Sequence, residues 1–160
     1  MSKLTKYTPL FIVIGIALVS AISMSLTSGF TMQEFMHSFM GIFLLQFSAL
    51  KLYDIKGFAK GFAKYDLLAQ QVKSYGFVYP LLEFTLALGY LSGGGNWVYI
   101  FTICLMSFGA IGVFVALIKG LNTDCACLGT TLKVPLSTVA VTENVSMAIM
   151  AIFLILSSPN

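Results

Sequence analysis

The sequence predicts an all-α integral membrane protein: a helical bundle of five transmembrane helices with an additional amphipathic segment at the membrane interface. Hydrophobic residues make up 58% of the 160 residues, charged residues only 9%, and the mean hydropathy is +0.93. A soluble domain of this length needs far more charge to cover its surface. Because the chain is too short for two compact domains, we expect residues 1–160 to form a single transmembrane domain.

Five apolar segments each approach the ~20 residues that a helix needs to cross hydrocarbon. They run from about residue 9 to 26, 32 to 53, 77 to 91, 97 to 118 and 135 to 156. At the start of the second segment, Thr31 and Glu34 form a capping-box pattern, which makes Glu34 a helix cap rather than a catalyst. In the third segment, Pro80 is expected in the first turn, where a helix tolerates proline.

The first segment allows two interpretations. Lys3 and Lys6 precede it, and small residues occur within it at Ala17 and Ala21, as in a cleaved signal peptide. Its apolar run, however, outlasts a typical signal core and continues through Leu26. We therefore expect this segment to be retained as a helix.

The stretch between the second and third segments is basic and amphipathic. Its apolar residues recur at near-helical spacing; they are Phe58, Phe62, Tyr65, Leu68 and Val72. This pattern predicts a segment that lies on the membrane surface, in contact with lipid, rather than a sixth span.

The placement of the lysines predicts the orientation. With five spans, all nine basic residues fall on one side of the bilayer: Lys3 and Lys6 before the first span, Lys51, Lys56, Lys60, Lys64 and Lys73 in the loop after the second, and Lys119 and Lys133 after the fourth. The positive-inside rule then places the N-terminus and both basic loops in the cytoplasm and the C-terminus outside. Because these lysines flank membrane segments, they do not indicate nucleic-acid binding.

Cys125 and Cys127, in the loop between the fourth and fifth segments, are the candidate reactive residues. A disulfide between them would close a very small ring, and its strain would make it easily reduced, as redox exchange requires. Paired thiolates also suit a metal ion such as Cu(I), zinc or mercury. Packing at a helix end is the third interpretation, and the spacing alone leaves all three open. Cys104 lies too deep in the fourth segment to join the pair.

Glu83 and Glu143 are the candidate acidic residues of the site. Ionisable side chains are costly in hydrocarbon, and both glutamates lie within about two turns of the cytoplasmic ends of their segments. They could accept protons during thiol exchange or attract cations. Alternatively, each reaches interfacial water or bonds to a neighbouring helix, which is the role we expect for Asn144.

Four residues near the opposite face form a second cluster of soft ligands: Met32, Met36, His37 and Met40. Methionine sulfur with imidazole suits copper, but a methionine stripe at helical spacing is more often packing. We therefore assign no metal ligands and no cofactor.

Several motifs together resemble the MauE/DoxX family of redox-associated membrane proteins. They are Phe47 to Phe58, Tyr65 to Leu68, Tyr79 to Glu83, Cys125-Ala-Cys127-Leu-Gly129 and Glu143-Asn144, and the resemblance covers about 33–156. It implies a bundle in the bacterial inner (plasma) membrane whose Cys125 and Cys127 exchange electrons or disulfides with a partner protein, with oxidoreductase-like activity as one possibility. Helix 9–26 would then be an addition to a four-helix core, residues 32–156.

Two other functions remain open on the sequence. The protein could transport or handle a soft heavy metal, copper or mercury, or it could be a non-catalytic membrane subunit of a larger complex. Orientation also bears on the redox interpretation, because the lysines place the cysteines on the cytoplasmic side, where thiols are usually kept reduced.

Overall fold

The protein is seen here in a computed structural model that describes residues 8–120, 124–125, 134–135 and 138–157. Within these residues the chain forms α1 (Thr8–Thr27), α2 (Met32–Tyr53), α3 (Ile55–Phe62), α4 (Tyr75–Leu91), α5 (Asn96–Ile118), α6 (Thr138–Ser157) and two short strands, β1 (Asp124–Cys125) and β2 (Val134–Pro135). The predicted all-α fold is confirmed, and each of the five apolar segments corresponds to a helix.

In the described part of the chain, three helical segments are long and apolar enough to cross a membrane: Leu10–Thr27, Met32–Tyr53 and Asn96–Ile118. The α4 helix has 17 residues, and the apolar part of α6, Glu143–Ser157, is also shorter than these three. The structure therefore supports a membrane protein with three candidate spans, while five spans remain a prediction.

The helices pack as two close pairs, α2 with α4 and α5 with α6. Contacts of α2 with α6 and of α4 with α5 join the pairs, and α1 lies against α2. The α2–α4 contact depends on Gly41, where an added Cβ would lie 2.9 Å from the Leu91 side chain and 3.1 Å from Cβ of Tyr90. Large apolar side chains such as Val19, Phe101 and Leu156 face outward. A lipid solvent accommodates such an apolar exterior.

The start of α2 follows the prediction, whereas the start of α4 does not. Thr31 Oγ1 accepts a hydrogen bond from the Glu34 amide at 3.2 Å, which confirms Thr31 as the N-cap. The α4 helix begins at Tyr75, so the prediction that Pro80 lies in its first turn was wrong. The Ser74 carbonyl already accepts bonds from the amides of Phe77 and Val78, so a helical turn forms before the proline.

The amphipathic stretch packs onto the protein itself. Its helical part, α3, ends at Phe62, and Phe58, Phe62 and Tyr65 are buried against Tyr79 of α4 and Val113 of α5. Leu68 and Val72 remain exposed. The aromatic residues of this stretch therefore pack where the start of α4 lies beside the end of α5. These residues were expected to contact lipid, but they contact the protein instead.

Candidate functional site

A buried ion pair joins α2 to α4. Lys51 Nζ donates to both carboxylate oxygens of Glu83, at 2.6 and 2.5 Å, and the two side chains are only 4% and 3% exposed. The second segment ends at Tyr53 as predicted, so Lys51 lies in the last turn of α2, and its assignment to the basic loop was wrong. Lys51 shares a face of α2 with Phe47, four residues earlier, and that face packs against α4.

Aromatic rings surround the ammonium group of Lys51. Its Nζ lies 5.1 Å from the centroid of the Tyr79 ring, 5.7 Å from that of Phe58 and 5.9 Å from that of Phe47. Rings at these distances stabilise a cation through their quadrupoles. They also exclude water, which strengthens the attraction between Lys51 and Glu83.

A small cavity adjoins this pair and brings α6 into the site. The space open to the centre of a water molecule is about 20 Å³, enough for a water molecule. Its walls are Lys51, Phe58, Phe62, Tyr65, Tyr79, Gly109, Val113, Glu143 and Asn144. Gly109 presents no side chain there, since an added Cβ would lie 3.5 Å from Tyr79 Oη and 3.6 Å from the amide atoms of Asn144.

Glu83 and Glu143 therefore lie in one cluster, with different partners. Glu83 is bound directly to Lys51. Glu143 lines the cavity together with Lys51, and the charges of both Lys51 and Glu83 act on it. Within the described part of the chain it makes no ion pair closer than 4 Å. The cluster thus contains one ammonium group and two carboxyl groups.

Of the predicted cysteine pair, the structure describes the backbone of Cys125. This residue ends β1 and pairs with Val134 of β2, and β1 contacts α3. Because Phe58 of α3 also packs over Lys51, β1 lies at the same end of the bundle as the buried ion pair. The thiol of Cys125 and the whole of Cys127 lie outside the described residues, so the proposed pairing stays a prediction.

The second cluster of soft ligands, on α2, does not form one site, because its members have different surroundings. Met40 is fully buried in the core, whereas Met32 is 60% exposed. His37 packs edge-on against Tyr90 and Tyr99, with ring centroids 5.1 and 5.7 Å apart. Across the described ranges, no group of three or more His, Cys, Asp or Glu side chains is arranged to hold a metal ion. Cys104 is a free, exposed cysteine on α5.

Lys51 and Asp66 are buried charged residues that were not predicted from the sequence. Asp66 is 1% exposed, and its Oδ1 accepts bonds from the amides of Leu68 and Ala69 at 3.0 and 2.9 Å. Its Oδ2 has no hydrogen-bond partner among the described residues. Burial raises the pKa of the Asp66 carboxyl, and the two backbone bonds oppose that rise. For Lys51 a signal existed: it continues the helical spacing of Met40, Phe47 and the other buried positions of α2.

Comparison with known protein families shows to which family the chain belongs. Residues 12–157 match the family model described as methylamine utilisation protein MauE. The chain is a member of the MauE family. The MauE match begins inside α1, so it extends further towards the N-terminus than the resemblance from residue 33. It also contains Lys51, Glu83, Glu143 and both loop cysteines.

Searches of curated proteins and of solved structures find no match to the chain. MauE membership and the three candidate spans together identify a membrane protein, which is consistent with an accessory role and with contact between its helices and lipid.

Proposed function

We propose that this protein is a thiol–disulfide exchange accessory of the bacterial inner membrane, with Cys125 and Cys127 as its reactive pair. One observation carries the proposal: β1, which contains Cys125, contacts α3 at the bundle end where Lys51 and Glu83 are buried and Glu143 lines the adjoining cavity. A Cys-x-Cys segment beside buried proton-binding groups suits exchange chemistry, in which thiols must lose and regain protons. The partner is a protein that carries a dithiol or a disulfide.

The exchange balances in two steps. In the first, a thiolate of the pair attacks the partner's disulfide, so that a mixed disulfide forms and one partner sulfur leaves as a thiolate, which then takes up a proton. In the second, the remaining thiol of the pair loses its proton and attacks the mixed disulfide, which releases the other partner sulfur. Two electrons pass to the partner, and Cys125 and Cys127 end as a disulfide. The reverse sequence oxidises the partner.

Joint oxidation of the two cysteines is the expected result in a redox titration. The purified protein is equilibrated with mixtures of reduced and oxidised dithiothreitol and then labelled with an alkylating tag that is counted by mass spectrometry. Cys125 and Cys127 should lose their reactivity at one common midpoint, because they form one disulfide, while Cys104 remains reactive.

Other outcomes of the titration favour other functions. Separate midpoints for Cys125 and Cys127 would contradict thiol exchange by this pair. Thiols that stay reduced and become protected by added Cu(I) or Zn²⁺ would favour soft-metal handling. Independent titration without metal protection would favour a non-catalytic subunit of a membrane complex.

We further propose that the N-terminus is cytoplasmic and the C-terminus periplasmic. Lys51 no longer supports this orientation because it is buried, but Lys56, Lys60 and Lys64 are exposed beside it. Alkaline phosphatase, which is active only in the periplasm, should be active when fused after Asn160 and inactive when fused between Lys56 and Lys64. Green fluorescent protein at the same positions serves as the matched control, with the opposite pattern expected. Activity of the loop fusion would reverse the topology.

A further inference from the structure

We propose that Glu143 is a proton-storing residue, whose carboxyl group holds an exchangeable proton in the cavity while Glu83 stays ionised against Lys51. Proton binding at Glu143 does not depend on the cysteines. Its link to thiol exchange, in which Glu143 would give its proton to the leaving partner thiolate and then take one back from the resolving thiol, rests on the proposed function.

The charges of the cluster require a proton. If both Glu83 and Glu143 were ionised, one ammonium group would face two carboxylates inside an aromatic enclosure, leaving a net negative charge that burial makes costly. One proton removes that charge. Carboxyl groups that share a buried site commonly hold a single proton between them for this reason.

The distances decide which glutamate holds the proton. Lys51 Nζ contacts both oxygens of Glu83 at 2.5–2.6 Å, and such charge-assisted bonds stabilise the ionised form. Glu143 has only the longer-range attraction of Lys51, and the negative charge of Glu83 opposes it. The proton therefore belongs to Glu143.

Among the residues that the structure describes, few other titratable groups face Glu143. Lys51 comes from α2, Tyr79 and Glu83 come from α4, and Tyr65 comes from the segment after α3. The lining residues from α3 and α5 are Phe58, Phe62, Gly109 and Val113, which carry no charge. Burial, together with the Lys51–Glu83 pair, thus sets the protonation of Glu143.

The cavity offers a route for exchange of the proton. Glu143 is partly exposed, whereas Glu83 is 3% exposed, and the cavity beside Glu143 has room for a water molecule. The hydroxyl of Tyr79 and the amide of Asn144 supply two further polar groups in its walls. A water molecule with this number of polar partners is well held in a protein interior, and it can carry a proton to or from Glu143.

Infrared spectroscopy of the purified protein tests the proposal directly. A protonated carboxylic acid has a carbonyl band that is separate from the carboxylate bands and shifts when its proton is exchanged for deuterium. Wild-type protein near neutral pH should show such a band, and Glu143→Gln should remove it. Asp66→Asn is the matched control, because Asp66 is a buried carboxyl group that does not line the cavity, and its replacement should leave the Glu143 band in place.

Substitutions in the Lys51–Glu83 ion pair test the proposal more sharply than the loss of Glu143 alone. In Glu83→Gln, Lys51 loses its partner and becomes free to pair with Glu143, so the band should disappear at neutral pH and return only at lower pH. In Lys51→Met, both carboxyl groups lack a cation, and the band should grow to about twice its area if this variant folds. The Cys125→Ser variant should retain the band, since no thiol takes part.

Two outcomes would overturn the proposal. One is a wild-type band that survives Glu143→Gln or is unchanged in Glu83→Gln. The other is absence of the band in wild-type protein together with carboxylate bands that respond to Na⁺ or K⁺, which would make the cavity a cation site. Neither result bears on whether Cys125 and Cys127 exchange disulfides, because the measurement involves no thiol chemistry.

Discussion

Replacement of Lys51 by Met is expected to destabilise the folded protein by about 3–5 kcal/mol, the usual cost of leaving one member of a buried ion pair without its partner. Glu83 is 3% exposed and lies among aromatic rings, so water cannot solvate the carboxylate that Lys51→Met would strand. Removing both charges in Lys51→Met/Glu83→Leu should recover most of this loss, because a well-packed apolar pair of similar volume often replaces an ion pair at little cost.

The two single variants should differ from each other. In Glu83→Leu, Lys51 retains Glu143 as an alternative partner across the cavity. In Lys51→Met, Glu83 has no second cation within reach in the described part of the chain. Glu83→Leu should therefore cost less stability than Lys51→Met.

Thermal or denaturant unfolding in detergent measures these differences as a double-mutant cycle. Lys64→Met is the control, since Lys64 is exposed and its replacement should change the free energy of unfolding by no more than about 0.5 kcal/mol. Losses that simply add in the double variant would show that Lys51 and Glu83 are not coupled, and would remove the buried pair from the site.

The helices could be predicted from the sequence because apolar segments of membrane-spanning length leave few alternatives to a helix. The surroundings of the charged residues were less predictable. The charge of Lys51 favours a place in the basic loop, yet a charged residue can lie in the last turn of a helix inside the protein when another helix supplies a counter-ion. That counter-ion, Glu83, is 32 residues away along the chain, and only the packing of α2 on α4 brings the two together.

The amphipathic stretch between α2 and α4 also shows what sequence alone cannot predict. Spacing identifies which residues share an apolar face, but it does not say what covers that face. For Phe58 and Phe62 the cover is Tyr79 of α4 and Val113 of α5 rather than lipid. Depth along the helices did place Glu83 and Glu143 at a similar level. The cavity that Glu143 lines with Lys51, and the different partners of the two glutamates, depend instead on how α4 and α6 pack around α2.

Either single substitution, Cys125→Ser or Cys127→Ser, should abolish disulfide exchange as completely as the double substitution. The reason is that a lone thiol can attack a disulfide but cannot resolve the mixed disulfide that results. One of the two single variants should therefore accumulate as a covalent adduct when it is mixed with a quenched fluorescent peptide closed by a disulfide. The variant that retains the attacking cysteine forms the adduct, so the same experiment assigns the roles of attacking and resolving thiol.

Cys104→Ser supplies the matched control for these variants. Cys104 is exposed on α5 and is not part of the Cys-x-Cys loop, which follows that helix. Its replacement should therefore leave the rate of peptide cleavage unchanged. Equal amounts of folded protein, checked by gel filtration, make the rates comparable. If Cys125→Ser and Cys127→Ser both cleave the peptide at the wild-type rate, the two thiols do not act as a redox pair. The Lys51–Glu83–Glu143 cluster would then belong to a protein that supports its partners through its helices alone.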